Sequence, residues 1–136
     1  MRILILSALM VLSVLLAPSQ SGAQDAEIQG TISAQIDAFR ADDFGTAFGF
    51  AHTNIQRIFR TPENFGRMVT QGYPMVWRPA DITYLDLREE NGQTFQDVQI
   101  VDRNGRVFVL EYLMQPTPDG WRIAGVQILR ADAFSA

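Results

Sequence analysis

Glu111 is the one charged residue in the apolar stretch from Val107 to Met114. A carboxylate buried inside a fold is pushed toward its neutral form and becomes a general acid or base; here Tyr84, Asp86 and Asp97 are its candidate neighbours. The structural alternative is a salt bridge to Arg103, Arg106 or Arg122. A second constellation is Tyr73, Trp77 and Arg78, in a segment from Gly72 to Pro79 that also holds two prolines. An arginine fork donates paired hydrogen bonds to an anionic group, and aromatic rings supply walls around it. Its structural alternative has Trp77 in the core and Arg78 paired with Asp81 or Asp86 at the rim. His52 is the only histidine. It therefore has no histidine partner for a metal site, and its place between Ala51 and Thr53-Asn54 suits a helix cap or loop.

Composition removes several other chemistries. The chain has no cysteine, which excludes thiol catalysis and cysteine-ligated metals. Every basic residue is arginine, so no lysine is present for Schiff-base chemistry. The 136 residues carry a formal net charge of −4, with acids dispersed along the chain, which disfavours nucleic acid as a partner. No Gly-rich phosphate loop, Gly-x-Ser-x-Gly elbow, calcium loop or zinc pattern occurs. No cofactor or metal is expected.

The chain begins with a basic Arg2, an apolar run from Ile3 to Leu16 and the small residues Ser21-Gly22-Ala23. This is the pattern of a secretory signal peptide cut after Ala23. The apolar run is shorter than the ~20 residues a membrane-spanning helix needs, so no stable anchor is expected after cleavage. The reading is therefore a signal peptide over 1–23 and a single exported domain, periplasmic or secreted, over 24–136.

The elements that must position the candidate residues follow from hydrophobic periodicity. Ile28, Ile32, Ile36 and Phe39 form one helical stripe, which predicts a helix over about 26–41. Asp42 and Asp43 can cap a second helix carrying Phe44, Ala47, Phe48 and Ala51. A short helical piece holds Ile55, Ile58 and Phe59. Thr61-Pro62-Glu63 then starts a helix with Phe65, Met68 and Val69 on its apolar side, which Gly72 can end in a left-handed conformation. The six phenylalanines from Phe39 to Phe65 read as core. Beyond Ile82 the period becomes two. Strands are predicted over 81–89, 94–102, 106–115 and 121–130, joined by turns at Glu90-Asn91-Gly92, Arg103-Asn104-Gly105 and Pro116 to Gly120. Helices followed by an antiparallel meander make an α+β domain with helices on one face of a curved sheet.

The stretches from Ile36 to Asp43, from Ala47 to Ala51, and from Thr61 to Val69 with the Gly72 to Pro79 segment after it resemble, in that order, the bacterial domain of unknown function DUF4864. The resemblance covers about Ile28 to Ile128. It implies an NTF2-like, cystatin-like cone of helices wrapped around a bent antiparallel sheet of four or slightly more strands. It implies no reaction and transfers no catalytic residue. His52 departs from the small residue expected at its position.

The strand over 106–115 carries apolar side chains on both faces: Val107, Val109 and Leu113 on one, Phe108, Leu110, Tyr112 and Met114 on the other. Helices cover one face. The other is closed by curvature and the tail around Phe134, or by a second copy in a homodimer. The functional expectation is noncatalytic binding of a small hydrophobic molecule or a protein partner. The alternative is a cofactor-independent isomerase or hydratase working through a buried carboxylate.

Overall fold

The computed structural model describes residues 20–132. The apolar run Ile3 to Leu16 and the tail around Phe134 lie outside the described residues. Five helices precede four strands: α1 (Gln20–Arg40), α2 (Phe44–Gly49), α3 (Thr53–Phe59), α4 (Pro62–Gly72), α5 (Pro74–Trp77), β1 (Pro79–Glu90), β2 (Gln93–Asp102), β3 (Val107–Thr117) and β4 (Gly120–Asp132). The sheet is an antiparallel meander in the order β1-β2-β3-β4. This is the α+β arrangement that the change of period implies.

Helix α1 starts earlier than the polar stretch at Gln24 to Glu27 suggests, because alanine, glutamine and glutamate are themselves good helix formers. Its Ile28, Ile32 and Ile36 are wholly buried and Phe39 nearly so. They pack in one core with Val98, Ile100, Leu110, Tyr112 and Ile123 of the sheet. Each such side chain contributes about 2 kcal/mol by leaving water.

Caps set the shorter helices. Asp43 accepts a hydrogen bond at Oδ1 from the Thr46 amide (3.2 Å) and at Oδ2 from the Thr46 hydroxyl (2.7 Å), closing the start of α2. His52 is the N-cap of α3, its Nδ1 accepting from the Asn54 amide, and Thr61 caps α4 through Asn64 N. Gly72 does not take a left-handed conformation. The helix stops at Tyr73, since the ring of Pro74 disfavours the helical region for the residue before it and begins α5 without an amide.

Register shifts lie between Tyr84 and Leu87, Val109 and Leu110, and Leu113 and Met114. Such bulges bend the strands that carry them. At the first of these, buried Gln96 donates from Nε2 to the carbonyls of Leu85 (3.1 Å) and Asp97 (2.9 Å). The helical layer is tied to the sheet by a parallel bridge, with Ile123 N donating to Phe50 O (2.9 Å) and His52 N to Ile123 O (2.8 Å). No helix among the described residues is long and apolar enough to cross a membrane. On the sheet face away from the helices, Val109 is buried and Phe95, Val101, Val107 and Leu113 are half-buried.

Two glycines in these helices respond oppositely to a methyl group. At Gly66 a Cβ would stand 2.7 Å from the Phe44 ring, whereas at Gly30 nothing lies within 4 Å. Gly66→Ala is therefore expected to cost about 1–3 kcal/mol by overpacking. Gly30→Ala should gain up to about 1 kcal/mol from helix propensity. Urea unfolding of the two variants checks both signs.

Candidate functional site

Between the helices and the sheet lies a cavity of about 180 Å³. Gln35 and Phe39 of α1, Ile55 and Phe59 of α3, and Phe65, Met68 and Val69 of α4 form its helical walls. Tyr112, Ile123 and Val126 form the sheet wall, and Ala51, Tyr73 and Val76 close the remainder. Ile55, Phe59, Met68, Tyr73 and Val126 are half-buried and make the rim, while Phe39, Phe65, Val69, Val76 and Tyr112 are buried. Phe65 packs with tilted rings against Phe48 at 5.3 Å between centroids, Phe39 at 5.8 Å and Phe59 at 5.9 Å.

The cavity's polar groups are few. Gln35 donates from Nε2 to Ala47 O (3.1 Å), and the Tyr73 hydroxyl donates to Val126 O (3.4 Å). The Tyr112 hydroxyl is buried and has no hydrogen-bond partner. Burial pushes its pKa well above the ordinary phenol range, with the nearby Tyr84 and Tyr73 adding to the effect.

Tyr73, Trp77 and Arg78 do not converge. Tyr73 lines the cavity, whereas Trp77 and Arg78 line a separate surface groove with Pro74, Arg103, Arg106 and Phe108. Arg78 pairs with Asp42 (Nη2 to Oδ1, 2.9 Å), not with Asp81 or Asp86. Its Nη1 donates to Phe39 O (2.7 Å) at the end of α1, where a cation complements the exposed carbonyls. Trp77 Nε1 donates to the same Asp42 oxygen (2.9 Å), and the guanidinium stacks 4.2 Å over the indole. Asp42 stands at φ 54°, a left-handed conformation that aspartate tolerates. Hydrogen bonds from Trp77 and then Arg78 hold its carboxyl below the usual range.

Glu111 and Asp97 are direct cross-strand partners, but they face away from the helices and the cavity. The partner of Glu111 is Arg88 of β1, in place of Arg103, Arg106 or Arg122. Arg88 also contacts Asp97 (Nη1 to Oδ1, 2.6 Å) and Glu90 (3.0 Å), and lies over the Phe95 ring. The Asp97 contact is a close ion pair without an aligned N–H, so the buried Oδ1 lacks a true hydrogen bond. This cluster raises the Arg88 pKa, with the Asp97 interaction as the largest cause. Asp86 is exposed at the β1 bulge. Tyr84 is on the inner face, where its hydroxyl donates to Gln29 O (3.0 Å) and is bonded to Ser33. The proposed proton-transfer set is thus split by the sheet. Among the described residues no three of His, Cys, Asp and Glu gather to hold a metal ion.

A family model described as a domain of unknown function, DUF4864, matches residues 21–136. The chain belongs to the DUF4864 family. No curated protein and no solved structure gives a match. In this DUF4864 chain the residues that sequence reasoning missed are Gln35, Tyr112 and Arg88. The signal for the first two was a polar group at an inward position of an apolar stripe, where periodicity alone reads only core.

Two outcomes test these polar contacts. Asp97 and Glu111 are each only 17% exposed, so Arg88→Met leaves two poorly hydrated carboxylates and should cost about 2 kcal/mol, between the surface and buried limits. Arg88→Lys recovers part of this, because an ammonium cannot fork between them. Asp42 titrates below its ordinary 3.8 in the fold. Its contribution is therefore complete above that value and lost as pH falls through the depressed folded pKa. Asp42→Asn should flatten the fall of Tm below about pH 4, measured by scanning fluorimetry across pH.

Proposed function

We propose that this protein is a noncatalytic binder of a small hydrophobic molecule, held in the cavity between helices and sheet. The observation that carries the reading is the cavity's lining, which is apolar apart from Gln35, Tyr73 and Tyr112. About 180 Å³ suits one ring or a short chain; an apolar cavity of about 150 Å³ is enough for benzene. Glu111 and Asp97 are paired with Arg88 on the opposite face of the sheet, which supports binding over proton transfer.

The protein is read as exported after cleavage following Ala23. Gly22 and Ala23 are exposed and the buried stripe of α1 begins at Ile28, so the cut removes no described core residue. A homodimer through the outer sheet face is the partner reading. It is favoured by the half-buried Phe95, Val101, Val107 and Leu113 on that face beside the poorly hydrated Arg88 cluster.

Native mass spectrometry of the exported protein should give a chain beginning at Gln24, two copies per particle and a small bound organic molecule. Monomer alone at micromolar concentration removes the dimer; a chain retaining Met1 removes the cleavage. Toluene at ten times its Kd should stabilise the protein by about 1.4 kcal/mol and raise Tm by about 5 °C. Val126→Phe, which narrows the rim, should abolish that shift. Absence of saturable toluene binding to the native protein sinks the cavity reading.

A further inference from the structure

Tyr112 stands mid-strand in β3, across from Gln96 on β2 and Val126 on β4. It is wholly buried and is part of the cavity wall, and its hydroxyl has no partner. The nearby donors are committed elsewhere: Tyr73 to Val126 O, Gln35 to Ala47 O, Gln96 to the carbonyls at the β1 bulge, and Tyr84 to Gln29 O. A buried polar group normally has a partner, because one without forfeits its hydration for nothing. Phenylalanine would fill the same space with no such penalty. The hydroxyl is therefore an unmet hydrogen-bonding requirement on a residue of the cavity wall, covered by its neighbours until one of them gives way.

We infer that the molecule held in this cavity is uncharged and carries one hydrogen-bonding oxygen, a carbonyl or hydroxyl, that pairs with the Tyr112 hydroxyl. The inference rests on the cavity being the binding site. Size limits the rest of the ligand to a single ring or a short chain. Charge is excluded by the lining, which contains no arginine, aspartate or glutamate. A carboxylate or ammonium there would lose its hydration without a counter-ion. Tyr112 itself stays protonated at neutral pH, since burial raises its pKa, and so presents a proton to an acceptor.

Toluene and phenol differ by a methyl against a hydroxyl and separate the cavity from its polar contact. Titrations followed by amide NMR shifts on wild type and Tyr112→Phe form a double-mutant cycle. Tyr112→Phe should weaken phenol about tenfold, the worth of one buried hydrogen bond, while toluene binds equally or more tightly. Benzoate should bind neither form at pH 7. Without ligand, Tyr112→Phe should have a Tm equal to or above wild type. A phenol-to-toluene affinity ratio unchanged by the substitution overturns the inference and leaves the cavity reading standing. Failure of both probes to bind wild type overturns the cavity reading itself. A readout needing no variant is the carbonyl stretch of bound cyclohexanone. It should fall below its value in cyclohexane solution, and an unshifted band overturns the pairing.

Discussion

The fold depends on one steric requirement: the sheet has to close around the single apolar stripe of α1. Ile28, Ile32, Ile36 and Phe39 project from one side of that helix, and a flat sheet would touch only part of it. The bulges in β1 and β4 supply the bend, and each leaves backbone groups outside the regular ladder. Gln96 answers this at the β1 bulge, where its buried amide serves carbonyls that β2 does not pair. A polar side chain at an inward position is thus explained by curvature and needs no catalytic role.

The same curvature decides which side chains can meet. Tyr84, Tyr112 and Val126 share the inner face, and Arg88, Asp97 and Glu111 share the outer one. The remaining helices are short, and α2 to α5 cover the rest of the inner face in separate pieces. The cavity forms where α3, α4 and the turn into α5 meet the sheet without filling it. Along α5 the sides diverge: Val76 belongs to the cavity, while Pro74 and Trp77 belong to the arginine-lined groove.

Much of this architecture was legible in the residues. The period of four in α1, the caps at Asp43 and Thr61, and the glycine turns before β2, β3 and β4 located nearly every element, because those signals are local. The two-residue alternation of β3 also assigned its faces correctly. Partner identities were not legible. Arg88 reaches Glu111 because the bulge between Tyr84 and Leu87 sets its register, and nothing in the spacing of β1 announces that bulge. Asp42 reads as a cap, yet it serves Trp77 and Arg78 more than thirty residues away. Tyr73 and Trp77 are four residues apart but face different spaces, since Tyr73, at φ −134° and ψ 53°, caps α5 without helical geometry and so does not share a helix face with Trp77. The unpartnered hydroxyl of Tyr112 is visible only when every surrounding donor has been placed.

The meander also orders events in time. Each strand pairs with the next along the chain, so every ladder forms by closing a turn of a few residues, at little cost in chain entropy. The junction of Ala51 with Ile123, α1 packing on β4, and the bonds of Tyr84 to Gln29 and of Trp77 and Arg78 to Asp42 bring distant stretches together. Contacts that must wait for such long loops govern how fast a small domain folds. By loop length the meeting of the first helix with the last strand, as where Thr31 bonds Trp121, is among the costliest of these closures, and it is the same meeting that encloses the chamber between them.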